Sequence, residues 1–458
     1  MIKIRGIAGR ERRKPDHAAR VLTGFFMLVI LIGSILLGLP IASRSGKSCG
    51  GMTAVFTATS ATCVTGLSLV DTYSQWSAFG QVVLLCLIQI GGLGYMAFVS
   101  VFYFLLRRRI GLRERLVIQQ AMALDELEGV VRLVRLMLAG TFLVEGTGAL
   151  ILTLRFMTEY PLKKALWMGI FHGISAFCNA GFDIMGFLTP GTSIAAFQGD
   201  AVVNLTLSAL IAIGGLGFFV WNDILMLLRR KNHRLSVHTR LVLWTTGILL
   251  VGGTLAILAL EWNNPATLGG LPVGKKILAA FFQSGTTRTA GFAAMDQGSL
   301  TGSGKLASML LMLVGGSSGS TAGGIKTVSV ALLFIMSYSV LRNHRETVLF
   351  GRKIPQQQMA SAASIALLVT GLGLVGAMIL SSTNGLPLGD CLYESISAIC
   401  TVGLSTGITA GLNLGSKILL MIYMFFGRVG IMTISFAFMT KIPPDNAIRR
   451  PEARVLIG

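Results

Sequence analysis

The sequence predicts an all-α membrane protein. It reads as four repeats of span, re-entrant half-helix and span, that is, eight transmembrane helices and four half-helices about a pseudo-fourfold axis. Three observations lead there. The 458 residues are 53% hydrophobic and only 13% charged, with a mean hydropathy of +0.72, whereas a water-soluble domain carries about 25% charged residues. Eight stretches are long and apolar enough to cross a bilayer, which takes about 20 residues. Between them one short pattern recurs four times at nearly equal intervals. This composition excludes a disordered chain, a coiled coil and an ordinary cytosolic enzyme.

The apolar stretches run from Val21 to Ile41, Phe79 to Leu106, Leu133 to Leu154, Val202 to Leu228, Leu241 to Leu260, Leu306 to Leu341 (interrupted), Ala360 to Leu380 and Ile418 to Met439. The first follows seven basic residues and resembles a signal sequence. Its apolar run, however, exceeds the roughly 7–15 residues of a signal core, so it reads as a retained helix. Segments 1–20, 107–135, 229–240, 342–353 and 441–458 hold 27 of the 39 Lys and Arg residues. These are alternate connections, and the positive-inside rule puts them, with both termini, in the cytoplasm. The net charge of +20 is therefore a topology signal, and no clustered basic motif points to nucleic acid. Six cysteines and five histidines show no metal-ligand spacing. Cys49 and Cys391 both fall on the outer side, but nothing in the sequence supports a bridge between them.

The recurring pattern spans Phe56–Leu67, Phe171–Phe182, Phe281–Phe292 and Tyr393–Leu404. Each begins with an aromatic residue ten positions before a glycine: Gly66, Gly181, Gly291 and Gly403. The glycines are 115, 110 and 112 residues apart, and three of the four copies carry Ser-Ala six and five positions earlier. Each copy lies between two apolar spans and is too short and polar to cross the bilayer. Non-helical backbone at that depth must be buried in protein or line a watery path. Four such loops facing one axis form a pore in which backbone carbonyls replace an ion's hydration shell, and glycine permits the dihedrals and close approach this requires. The alternative for any one glycine is helix packing.

These residues resemble a known family. TCVTGL, FCNAGF, TRTAGF and TVGLSTG, with GGSSGSTAGGIKT at Gly315–Thr327, are similar to motifs of the bacterial Trk/Ktr/HKT superfamily of potassium-translocating membrane subunits, most of all the Ktr branch and its B-type subunit. The resemblance covers residues 20–440. It implies a selectivity filter formed by Val64, Thr65, Gly66 and Leu67; Asn179, Ala180, Gly181 and Phe182; Thr289, Ala290, Gly291 and Phe292; and Thr401, Val402, Gly403 and Leu404. Potassium is then the substrate bound at the filter. Relatives that favour sodium often carry Ser at the first filter glycine, so Gly66 points to potassium. Cys178 stands where Asn is more usual, and Asp183 follows the second filter segment.

The resemblance further implies a homodimer in the bacterial cell membrane and a sodium dependence. It implies regulation by a separate cytoplasmic ring of KtrA-type subunits that bind ATP, ADP or NAD. This chain has no nucleotide-binding motif and no nucleophile–base or metal constellation, so no enzyme activity and no resident cofactor are expected. The runner-up reading is a secondary active potassium symporter driven by sodium or protons.

The sixth span is broken by Gly315, Gly316, Ser317, Ser318, Gly319, Ser320, Thr321, Ala322, Gly323 and Gly324, followed by Lys326. Such backbone cannot face lipid. It reads as a gate loop below the filter, as in the family, or else as a close-packed kink. Arg428 lies within the last span, 25 residues after Gly403, where the corresponding positions 26 after Gly66 and 25 after Gly291 are Gly92 and Gly316. A charge at that depth faces a pore or a partner, so Arg428 is read as an electrostatic barrier near the gate or as an anchor paired with an acid. Lys326 is read the same way, with more weight on snorkelling or pairing. Arg288 is expected behind the filter, bonded to backbone or an acid. Asp71 and Asp296 either draw cations to the mouth or are ordinary surface acids. No role is chosen for Glu145 or Glu261. The chain thus divides into a basic cytoplasmic N-terminus (1–20), repeats at 21–109, 110–231, 232–345 (gate loop 315–327) and 346–441, and a cytoplasmic tail (442–458).

Overall fold

The computed structural model describes residues 16–105, 130–229, 234–344 and 346–430. The extreme N-terminus, most of the basic 107–135 connection, the end of the last expected span and the C-terminal tail lie outside the described residues. In chain order, α1 (Asp16–Gly38) is followed by the short α2 (Gly51–Thr62), the single turn α3 (Thr72–Gln75) and α4 (Ala78–Leu105). Next come α5 (Val130–Phe156), the short α6 (Leu162–Phe177), α7 (Ala201–Leu216) and α8 (Phe218–Arg229). Then come α9 (Val237–Glu261), the short α10 (Val273–Thr286), α11 (Gly302–Leu313) and α12 (Thr327–Leu341). A two-residue antiparallel ribbon, β1 (Val348–Leu349) and β2 (Arg352–Lys353), leads to α13 (Gln356–Asn384), the short α14 (Leu388–Ile399) and α15 (Leu414–Val429).

Local chemistry starts the short helices. Pro161, Pro272 and Pro387 sit immediately before α6, α10 and α14. Proline fixes φ and lacks the N–H that a helix start leaves unsatisfied, so it opens a helix without cost. Gly50 holds the equivalent place before α2. Each short helix packs mainly on the long helix that precedes it. Small residues allow the close approach: Gly169 and Gly173 of α6 lie against Ala149 and Thr153 of α5, Gly253 of α9 lies against Ser284, and Gly376 of α13 against Ser395. A Cβ on Gly173 would stand 3.2 Å from the Ala149 Cα, which is backbone and cannot yield. Gly173→Leu is therefore expected to cost at least the 1–3 kcal/mol of an overpacked core, read as a clear fall in melting temperature in detergent.

The long helices carry apolar residues outward. Leu28, Leu31, Ile32 and Ile35 on α1, and Trp244, Ile248, Val251 and Leu255 on α9, are all about half exposed or more. Such stripes are a liability in water and the natural face toward hydrocarbon. Among the described residues, α1, α5, α9 and α13 are long and apolar enough to cross a membrane unaided, and α7 and α8, bent by 95° from one another, are so only when taken together, as a broken span or a re-entrant loop. The remaining expected spans are interrupted: α4 leaves helical geometry at Gly94, residues 314–326 part α11 from α12, and α15 stops at Gly430. The molecule is a helical membrane protein whose short helices are buried and whose long helices form the outer wall.

Candidate functional site

The four pattern glycines meet. Their φ angles are 96° (Gly66), 69° (Gly181), 78° (Gly291) and 92° (Gly403), a region that side chains strain to adopt. A Cβ on Gly66 would sit 2.6 Å from the Ala180 carbonyl oxygen, one on Gly181 2.8 Å from the Gly291 Cα, and one on Gly291 2.6 Å from the Val402 carbonyl oxygen. A Cβ on Gly403 would strike the Thr65 carbonyl oxygen. The contacts run 66 to 181 to 291 to 403 and back to 66, so the four segments form a closed ring of backbone. Two residues before each glycine, Val64, Asn179, Thr289 and Thr401 also have positive φ, between 52° and 68°, while the residues between them do not. Alternating the sign of φ turns successive peptide planes alike, so consecutive carbonyls of one segment share a side.

Hydroxyl groups hold each turn. Ser60 and Ser397 accept from the Gly66 and Gly403 N–H groups at 3.1 Å. Ser175 and Thr286 instead donate at 2.7 Å to the carbonyls of Phe182 and Phe292. Leu67, Phe182, Phe292 and Leu404 are buried anchors behind the ring, and Ala180, Ala290 and Val402 are fully enclosed. The side-chain oxygens of Thr65, Asn179, Thr289 and Thr401 are buried without a hydrogen-bond partner among the described residues. Buried polar atoms in native proteins are normally satisfied, so this cluster is suited to a polar or charged guest.

On one side of the ring lies a cavity of about 310 Å³ that reaches all four glycines and is lined by Asp71, Asp183 and Asp296. Asp71 also caps α3 through the Ser74 N–H at 2.8 Å, and Asp296 accepts from the Gly298 N–H at 3.1 Å. Asp183 accepts from the Met185 N–H at 3.0 Å. Burial pushes its carboxyl up to about 6, against the opposing bonds from Met185 and Ser193 and with a smaller upward push from Asp71. The carboxyl takes up a proton as the pH falls through about 6, which removes negative charge from this cavity. Affinity of the cavity for an alkali-metal cation, read by calorimetric titration of the purified chain, is expected to drop between about pH 7 and 5, and Asp183→Asn to flatten that profile.

The opposite side is closed by residues 315–326. Gly315 N–H bonds the Ile325 carbonyl at 2.9 Å, and Thr327 N–H bonds the Gly316 carbonyl at 3.1 Å, tying the loop's two ends together. The loop then docks under the ring. Thr321 Oγ1 donates to the Phe177 carbonyl at 3.1 Å and accepts from Asn179 Nδ2 at 3.2 Å. Gly323 faces Thr401 and Cys400, and Gly315 faces Thr289. Ser317 N–H bonds the Gly215 carbonyl at 2.9 Å, its hydroxyl donates to the Leu216 carbonyl, and the Gly319 carbonyl accepts from Phe218 N–H at 3.1 Å. Ser320 Oγ donates to the Ser317 carbonyl at 2.7 Å, and Lys326 Nζ to the Ala322 carbonyl at 2.7 Å. Arg428 completes the closure. Its Nη1 donates to the Thr321 carbonyl, and its Nη2 to the carbonyls of Gly91 and, at 2.9 Å, Gly92 on α4. Among the described residues its hydrogen-bond partners are carbonyls, not the acid an anchor role called for.

Four points of the sequence reading are revised or filled in. Arg288 is buried, and among the described residues its guanidinium reaches the Thr246 hydroxyl of α9 at 3.4 Å, where backbone or an acid was expected. Cys49 and Cys391 are free thiols. Glu145 meets an amide, Gln89 Nε2 at 3.0 Å, and lies 3.8 Å from the Cys178 thiol behind the second ring segment. Glu261 binds the Thr301 N–H and hydroxyl at 2.9 and 2.6 Å. Sequence reasoning missed Glu394, which is fully buried and accepts from Ser405 at 2.5 Å, Thr406 N–H at 3.0 Å and Thr409 at 2.9 Å, fixing the loop after the fourth segment. The available signal was an acid at the second position of the fourth pattern copy, where the other copies have Thr57, His172 and Phe282.

The profile of the TrkH family, described as a cation transport protein, matches residues 9–450. The potassium/sodium uptake protein NtpJ of Enterococcus hirae is 37% identical, over 98% of this chain and 99% of its own. The Ktr system potassium uptake protein B of Bacillus subtilis is 38% identical, over 96% of each chain. The crystal structure of the potassium transporter TrkH from Vibrio parahaemolyticus superposes with a TM-score of 0.72 at 16% identity, covering 94% of this chain and 86% of that one.

Proposed function

This chain belongs to the TrkH family of cation transport proteins, and from that premise we propose that it takes up potassium across the bacterial cell membrane through a pore within a single chain. The closed ring of four glycine-centred turns carries the reading. Carbonyls of residues 64–67, 179–182, 289–292 and 401–404 replace the ion's water, as carbonyl rings do in four-loop filters. The short helices α2, α6, α10 and α14 are the re-entrant halves of four repeats and turn their partly negative C-terminal ends toward the cation. The acid-lined cavity is the outer mouth, and residues 315–327 with Arg428 are the inner gate. Both termini are cytoplasmic, as the basic connections support. The motif resemblance set out above is the ground for proposing a homodimer, a sodium dependence and a cytoplasmic KtrA-type ring that binds ATP, ADP or NAD; one relative is named as protein B of a Ktr system and another as a potassium/sodium uptake protein.

The test is rubidium-86 uptake into liposomes that hold the purified full chain. Flux above protein-free vesicles, competed by potassium and weakly by sodium, is expected. Absence of such flux overturns the reading. Uphill accumulation driven by an imposed sodium or proton gradient replaces the channel-like pore with the symporter.

A further inference from the structure

We propose that the groove between α5 and α8 binds the phosphate headgroup of an anionic phospholipid, held by Arg135 and Arg229. The groove encloses about 370 Å³. On α8 its wall is Asn222, Leu225, Met226 and Arg229, spaced three, four and seven residues apart and so on one helical face. Leu136 and Ala139 of α5 form the facing wall. Next to these walls α5 and α8 meet where Gly140 admits Trp221, whose ring stands 2.9 Å from a Cβ placed on that glycine and whose Nε1 donates to the Ile213 carbonyl at 3.0 Å. Both arginines are exposed.

An apolar slot with two guanidinium groups matches a molecule that has a hydrocarbon body and an anionic head. Guanidinium forms paired, charge-assisted bonds to phosphate oxygens, and basic pockets between membrane helices on the cytoplasmic side suit lipid headgroups. A soluble phosphate would leave the Leu136, Ala139, Leu225 and Met226 walls unused, so the lipid is the occupant. The leaflet follows from the orientation proposed above, since Arg135 and Arg229 fall in basic connections read as cytoplasmic.

The site also has a route to the gate. α8 begins at the Gly217 break (φ 88°), where Phe218 N–H bonds the Gly319 carbonyl and Phe219 packs on Gly319. Lipid that holds α8 against α5 therefore biases the loop that closes the ring. This coupling rests on the gate reading, whereas the binding itself does not.

The test uses the full chain and two readouts. Retention of phosphatidylglycerol is measured by native mass spectrometry, with phosphatidylcholine, inorganic phosphate and glycerol phosphate as competing probes. Arg135→Gln and Arg229→Gln are each expected to weaken retention about fivefold, and together about 30-fold. Leu225→Trp, which fills the slot and keeps both charges, should also displace the lipid, and melting in neutral lipid verifies folding. Undiminished retention in the double variant, equal retention of phosphatidylcholine, or displacement by inorganic phosphate overturns the site. Rubidium-86 uptake should change with the phosphatidylglycerol fraction in the native chain and not in the double variant. Bound lipid with flat uptake overturns the coupling. A native chain that binds lipid yet shows no uptake in any lipid counts against the transport reading instead.

Discussion

Gly66→Ser is expected to cut the preference for potassium over sodium by tenfold or more. Gly66 has φ 96°, and its Cβ position lies 2.6 Å from the Ala180 carbonyl oxygen. A side chain there carries about 1–2 kcal/mol of backbone strain and must also push the first or second segment outward. Each 1.4 kcal/mol is a factor of ten in an equilibrium, so strain that falls unequally on the two ion-bound states is enough for the effect. Gly66→Ala, which adds the Cβ without the hydroxyl, separates steric widening from a new oxygen ligand. Uptake competition between rubidium and sodium reads both variants. An unchanged preference in Gly66→Ser removes the ring from the selectivity argument.

Arg428→Ala is expected to raise the initial rate of uptake roughly tenfold. The guanidinium joins three carbonyls from two elements, Thr321 in the loop and Gly91 and Gly92 in α4. A hydrogen bond from a charged group is worth about 1.5–3 kcal/mol net, and losing the Thr321 contact shifts the loop toward release by about that amount. The substitution also removes a positive charge from beneath the ring. Arg428→Lys keeps the charge but cannot span both elements, so it should open the loop while retaining part of the barrier. Equal flux in all three proteins leaves Arg428 a packing anchor with no part in gating.

The apolar stretches and the offset of the four glycines were legible in the chain, because each depends on local composition or on spacing. The left-handed residues at Val64, Asn179, Thr289 and Thr401 were not, since none is a residue type that announces positive φ apart from Asn179. Gly94 and Gly217 break their helices, yet in sequence they look like many other glycines in apolar runs. Partners distant along the chain were hidden for a simpler reason. Nothing local links Arg428 to Gly91, Arg288 to Thr246, or Glu145 to Gln89. The serines six before three of the glycines were visible as part of the pattern, but their work as props for the turns appears only once the chain has folded back.

All four ring segments belong to one polypeptide, and this has a consequence for symmetry. An assembly of four identical subunits would have to place an arginine at every corner and a closing loop at every corner, and these would collide on the axis. Covalent fusion lifts that restriction. In the gate proposed above, one quadrant supplies the bolt, residues 315–326, and another supplies the catch, Arg428. The remaining corners contribute small residues whose carbonyls receive these two parts: Gly92 accepts from Arg428, and Gly215 accepts from the Ser317 N–H of the loop.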